Sequence, residues 1–251
     1  MARQKIAAGN WKMNTTPQEG EILAEKVANA ERDLKTLVIL AVPFTHLYQI
    51  EKTIQNAGNV KLAAQNCHHK ASGAYTGEIS PQMLTAIGVE YVIIGHSERR
   101  AYNGEGNELL ALKTKAALDA GLKVIFCCGE ELEIRKSGNH ISHVERQLEE
   151  ALFAFSADAL KEVIIAYEPV WAIGTGETAT PEQAQEMHFA IREKIAERFG
   201  RDIANSIPVL YGGSVKASNA KEIFAKPDVD GGLVGGASLD VNEFVSIINS
   251  F

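Results

Sequence analysis

Glu168 stands directly before Pro169, and a residue ahead of a proline is held in the extended region, so its carboxylate is aimed by stiff backbone. After it runs Pro169, Val170, Trp171, Ala172, Ile173, Gly174, Thr175, Gly176 and Glu177, apolar and glycine-bearing where an exposed connection is ordinarily polar. Such a segment reads as a lid, its apolar side chains excluding water and its glycines supplying mobility and free N–H groups for an anion. His96 offers an imidazole and Lys12 a cation, and Asn10, Gln65, Glu98, Cys127 and Glu130 add further polar groups. The pairs Gly212-Gly213, ahead of Ser214, and Gly235-Gly236 let backbone N–H groups approach an oxyanion. A carboxylate and an imidazole move protons, while a cation and glycine turns hold an anion. Taken singly each has a bland reading, a solvated charge for Lys12 and a hydrogen-bonded structural residue for His96. Gly174 to Ala179 also spells G-x-G-x-x-A, but the dinucleotide fingerprint needs its first glycine directly after a strand, and here lid residues intervene.

What unites these residues is their place after short apolar runs. Eight runs recur, near Ile6 to Ala8, Leu37 to Val42, Val60 to Ala64, Tyr91 to Ile94, Val124 to Cys127, Val163 to Tyr167, Val209 to Leu210 and Gly231 to Val234. Near-continuous hydrophobicity marks strands buried on both faces, hence a parallel sheet. Between them, Val144, Leu148 and Leu152, and Met187, Ile191, Ile195 and Phe199, recur every fourth residue as one face of a helix. Thr180, Pro181 and Gln183 spell a helix start, with a capping hydroxyl, a proline in the first turn and a reciprocal side chain. Eight strand-and-helix units, with no linker between them, predict an α/β fold in which residues 1–251 form one closed (β/α)8 barrel. A doubly wound open sheet is the runner-up. Both place ligands at the carboxyl ends of the strands, and a barrel often binds phosphate after its seventh and eighth strands, where the paired glycines fall.

Composition narrows the partners. The 251 residues are 45% hydrophobic, enough for a large core, and carry a net charge of -7, which argues against nucleic acid because no stripe of Lys and Arg is present. No apolar run approaches the roughly 20 residues that span a bilayer, and no leader is recognised at the N-terminus, so a cytoplasmic protein without membrane contact is expected. Cys67, Cys127 and Cys128 are odd in number and two are adjacent, so reduced thiols are expected. Cys67, His68 and His69 invite a zinc reading, yet no fourth ligand stands at a suitable spacing, and no metal is expected.

Five strings taken together resemble the triosephosphate isomerase family: Gly9-Asn10-Trp11-Lys12, Gly95-His96-Ser97-Glu98-Arg99-Arg100, Ala166 through Gly176, Tyr211-Gly212-Gly213-Ser214 and Leu233-Val234-Gly235-Gly236. They span the chain in the family's order, each at a strand end. The resemblance implies interconversion of dihydroxyacetone phosphate and D-glyceraldehyde 3-phosphate through an enediolate, in glycolysis and gluconeogenesis, with no cofactor. It implies that Glu168 takes the carbon-bound proton and returns it to the neighbouring carbon, and that His96 polarises the carbonyl and shuttles protons between the oxygens. Lys12 and Asn10 would hold the substrate and its developing charge, Glu98 would support them, and Gly174, Ser214, Gly235 and Gly236 would bind the phosphate. Ser72 to Glu78, with Tyr75, Thr76 and Gly77 at its centre, is similar to the family's third loop, which inserts into a partner subunit, so a homodimer is implied; taken alone it is a plain glycine-rich turn.

The chemistry is consistent with that resemblance, because removing a proton beside a carbonyl needs a base at carbon and fixed donors at oxygen. Two positions depart from the family's usual pattern. Cys128 replaces an aliphatic residue, and Glu177 replaces a lysine at the end of the lid, a charge that the start of the helix near Pro181 is expected to tolerate. Other readings are a different sugar-phosphate barrel isomerase, an aldolase or a catalytically inactive barrel. A Schiff-base lysine inside a strand would favour the aldolase, and no mid-strand lysine is expected.

Overall fold

The computed structural model describes residues 3–173 and 178–251. Its strands are β1 Ile6–Asn10, β2 Leu37–Val42, β3 Val60–Ala64, β4 Tyr91–Ile94, β5 Lys123–Cys128, β6 Val163–Tyr167, β7 Val209–Tyr211 and β8 Gly231–Val234. They pair in parallel in chain order, and β8 returns to β1 with Ile6 opposite Gly231 and Gly9 opposite Val234. The sheet is therefore a closed eight-stranded barrel with helices around it, and the open doubly wound alternative is excluded.

Both faces of each strand are covered, which is why the runs lack polar alternation. Ala8, Ala41, Ala63, Ile93, Cys127 and Ala166 belong to the cluster that fills the barrel, whereas Ala7, Leu40, Val92, Phe126 and Ile165 belong to the layer that meets the helices. Successive side chains on a strand point to opposite faces. Two residues beyond the inward Ala8, Ala63 and Ala166 come Asn10, Gln65 and Glu168, so the strand period itself carries these three toward the barrel mouth.

One expectation is corrected here. Lys61 lies inside β3, on the same parity as the inward Ala63. It sits at the amino end of the strand, half-exposed, with its ammonium 2.9 Å from Glu90. That places it at the opposite end of the barrel from the polar rim, away from where an aldolase nucleophile would act.

The helical signals were legible. Thr180 caps the helix Pro181–Phe199, its hydroxyl accepting from the Gln183 N–H at 3.2 Å while the Gln183 side chain accepts from the Thr180 N–H at 2.9 Å. On that helix Met187, Ile191 and Ile195 are buried as expected, but Phe199 is only half-buried, packed edge-on against Phe153 at 5.3 Å. Val144, Leu148 and Leu152 are all buried on the helix His140–Leu152. All three cysteines are buried and free. No helix among the described residues is long and apolar enough to cross a membrane. Among the same residues no group of three or more His, Cys, Asp or Glu is arranged to hold a metal ion.

Candidate active site

At the carboxyl ends of the strands opens a cavity of about 780 Å³, lined among others by Asn10, Lys12, His96, Glu168, Ser214 and Gly235. Glu98 and Gly236 line it too, so the structure brings together every described residue expected to act in the site.

Glu168 follows β6 and is 2% exposed. Its Oε2 accepts from the Ser97 N–H at 2.8 Å, and its Oε1 lies 3.1 Å from His96 Nε2. Burial raises its pKa above the ordinary carboxylate value, opposed by the nearby His96 ring, the Ser97 N–H and Lys12. A carboxylate held in this way stays a usable base while being readier to take a proton than an exposed one. Two glycines make room for it. A Cβ at Gly129 would stand 1.8 Å from the Glu168 carbonyl oxygen, and one at Gly212 would stand 2.9 Å from its Cγ. Beneath it lies Cys127, whose thiol burial pushes well above its usual range, so it stays neutral beside the carboxylate.

His96 ends the loop after β4 and caps the helix Ser97–Asn103, its Nδ1 accepting from the Glu98 N–H at 3.2 Å. An acceptor at Nδ1 leaves the ring proton on Nε2, the nitrogen that faces Glu168 and the cavity. The imidazole is thereby set to donate a hydrogen bond to an oxygen placed between them.

Lys12 stands two residues past β1 with φ at 53°, and its ammonium lies 2.5 Å from Glu98 Oε1. The Asn10 side chain accepts from the Lys12 N–H at 3.1 Å, and Gln65 donates to the Lys12 carbonyl at 3.0 Å. Asn10 is 5% exposed and lines the cavity.

Another stretch of the cavity wall carries Gly212, Gly213, Ser214, Gly235 and Gly236. A Cβ at Gly236 would meet nothing within 4 Å, and one at Gly235 only Lys12 Cε at 3.6 Å, so that turn is open toward Lys12. The segment after Pro169 is held by Glu130, which is 0% exposed. Its Oε1 accepts from Trp171 Nε1 at 2.9 Å and from the Tyr167 hydroxyl at 3.0 Å. Val170–Ala172 forms a short 3-10 turn, Ala172 is buried and Ile173 lines the cavity. The expectations placed on Gly174, Thr175, Gly176 and Glu177 lie outside the described residues.

Against this geometry, residues 5–251 match the family model described as triosephosphate isomerase. The chain belongs to the triosephosphate isomerase family. A triosephosphate isomerase of Porphyromonas gingivalis is 53% identical over 251 residues, covering 99% of this chain and 100% of the relative. One of Cytophaga hutchinsonii is 51% identical over 252 residues with 99% and 100% covered, and one of Flavobacterium johnsoniae 51% over 249 with 99% of each.

Within this triosephosphate isomerase family site, several participants were not foreseen. The Ser97 N–H that holds Glu168 carries no residue-type signal, since any residue but proline has one. Lys216, Ala237 and Glu243 also line the cavity, so Lys12 is not its only cation. Lys216 comes two residues after Ser214, a spacing that could have placed it near the glycine turn after β7. Glu130 reads in the sequence only as a polar strand-end residue, and its bond to Trp171 depends on how the chain turns after Pro169.

Proposed function

We propose that this chain is a triose-phosphate isomerase in which Glu168 takes the proton from the carbon beside the carbonyl and delivers it to the neighbouring carbon. The observation that carries this reading is the pair of Glu168 and His96 at 3.1 Å on the wall of one cavity, a buried base beside a donor whose proton faces the same space. For Glu168 to act on substrate, its contacts to Ser97 and His96 must be exchanged for the substrate's own C–H and oxygen. His96 Nε2–H and the Lys12 ammonium then face the oxygens on which enediolate charge develops, with the Asn10 amide below. The phosphate takes the far end of the cavity, between Ser214 and the Gly235-Gly236 turn. Redox state and atom count are unchanged in this reaction, so the chemistry requires no cofactor. A coupled assay with dihydroxyacetone phosphate tests the activity: glyceraldehyde 3-phosphate should appear without added metal or nucleotide, and a protein that forms none is not this isomerase.

The same reading places the protein in glycolysis and gluconeogenesis and in the cytoplasm, which three free buried thiols suit. It takes residues 1–251 as one catalytic domain, because the eight strands from Ile6 to Val234 form one barrel.

A homodimer is the expected assembly. Met13 and Tyr102 are 95% and 85% exposed, and Phe44, Tyr75 and Met83 are exposed as well, apolar side chains that a partner surface would cover. A groove of about 240 Å³, lined by Met13, Phe44, Gln65 and Tyr102, also reaches Lys12 and His96, and it offers a seat for the Tyr75–Thr76–Gly77 loop of a second copy. The Tyr75 ring meets His68 at a tilt of 39° with centroids 4.4 Å apart, a contact that fixes the conformation of that loop. Deleting Ser72 to Glu78 should therefore give monomers of poor activity by ultracentrifugation and assay, whereas an active monomer in the undeleted protein would contradict the assembly.

A further inference from the structure

Among the described residues only two other than glycine have positive φ, Lys12 at 53° and Thr15 at 70°, and both lie in the connection from β1 to the helix Pro17–Asn29. For a β-branched residue such as Thr15 this backbone is a genuine outlier, and it persists only where its surroundings over-determine it.

The surroundings are supplied by His46, which is 1% exposed at the end of the turn Phe44–His46 after β2. Its Nε2 lies 3.0 Å from the Thr15 hydroxyl and its Nδ1 2.9 Å from the Thr45 hydroxyl. The Thr15 hydroxyl gives its own proton to the Asn14 carbonyl at 2.5 Å, so toward the ring it accepts. That assigns the ring proton to Nε2 and leaves Nδ1 to accept from Thr45. Burial holds the ring below the ordinary imidazole pKa, in keeping with a neutral donor.

The ring is fixed from other sides as well. Trp11 meets it edge-on at 6.4 Å, and a Cβ at Gly20 would stand 2.4 Å from its Cδ2, so the helix Pro17–Asn29 rests directly on it. His46 does not line the cavity. It reaches toward the chemistry through the connection that carries Lys12, which Gln65 holds from the β3 side through the Lys12 carbonyl.

We propose that His46 is a positioning residue for Lys12: its Nε2–H, bonded to Thr15, locks the connection after β1 in the strained backbone that delivers the Lys12 ammonium to the cavity. The proposal rests on the reading of Lys12 as the cation that holds the substrate.

The two ring nitrogens can be separated by substitution. His46→Asn keeps a polar atom near the Nδ1 position and loses the Thr15 contact, whereas His46→Gln keeps one near Nε2. His46→Asn should raise both KM for dihydroxyacetone phosphate and the inhibition constant of inorganic phosphate by about tenfold, since a small misplacement of a binding group is felt strongly. His46→Gln should stay within about threefold of the parent on both. Thr15→Val, at a half-buried position, should reproduce the His46→Asn increase, and the two together should be no worse than either alone. Parent-like KM in Thr15→Val, equal loss in His46→Asn and His46→Gln, or a lower thermal midpoint without a change in KM would each overturn the proposal. Lys12→Ala separates the two levels: an unchanged KM there removes Lys12 from the site, while a raised KM with silent His46 and Thr15 variants sinks the positioning role alone.

Discussion

Glu168→Gln should lower kcat by about 10³-fold or more while inorganic phosphate still competes for the site, because the amide fills the same space but cannot take a proton. The Ser97 N–H can still bond to the amide oxygen, so the side chain remains placed and the loss reads chemistry instead of geometry. Turnover within about tenfold of the parent would reject Glu168 as the base, since general-base catalysis contributes more than that. The parent's pH profile gives a second reading. A base must be deprotonated to act, so kcat/KM should fall on the acid side as Glu168 is protonated, with the inflection displaced upward from the ordinary value of 4.5 by burial. An acid limb at or below that value would contradict the buried environment described for Glu168.

Lys12→Ala is the second large effect, with kcat/KM expected to fall on the order of 10²-fold, as when a fixed donor facing the developing oxyanion is removed. Lys12 and Glu98 are joined at 2.5 Å, so the substitution also strips Glu98 of its partner and leaves a carboxylate facing an incoming dianion. Both KM and kcat should suffer, because the ammonium serves the phosphate-bearing substrate on binding and the enediolate oxygen in the transition state. Loss of Lys12 removes one of the groups that lower the Glu168 pKa, so the acid limb of the profile should move further up. Simple removal of an exposed charge would instead give a small change that shrinks with added salt. An unchanged KM at low salt would take Lys12 out of the site.

Much of this was legible because the physics of a parallel barrel leaves a strong imprint on sequence. Strands such as Val163–Tyr167 are buried along their whole length, so they read as unbroken apolar runs, and the polar rim begins where the runs stop. Glu168 before Pro169 and the glycine pairs after β7 and β8 were readable for the same reason, each being a residue type that one backbone environment demands. Lys61 escaped notice because a single lysine at the amino end of a strand can reach Glu90 without breaking the apolar pattern of the residues after it. The anchors of the site were hidden for a different reason. The Ser97 N–H to Glu168, the Glu130 bond to Trp171 and the His46 contact to Thr15 join residues 71, 41 and 31 positions apart, and pairing at that range is decided by strand register and loop path, not by local composition. The positive φ of Lys12 and Thr15 was equally silent, because neither residue is the glycine that ordinarily announces it.

The most direct test of the central claim is to run the conversion of D-glyceraldehyde 3-phosphate in D2O and follow the product by NMR. If Glu168 carries the proton between neighbouring carbons through an enediolate, part of the dihydroxyacetone phosphate formed should bear solvent deuterium at carbon 1, because a carboxylic acid in the site exchanges its proton with water. Glu168→Gln should neither convert nor label the substrate at a comparable rate. Conversion by the parent with no deuterium at carbon 1, or labelling that survives intact in Glu168→Gln, would contradict the account.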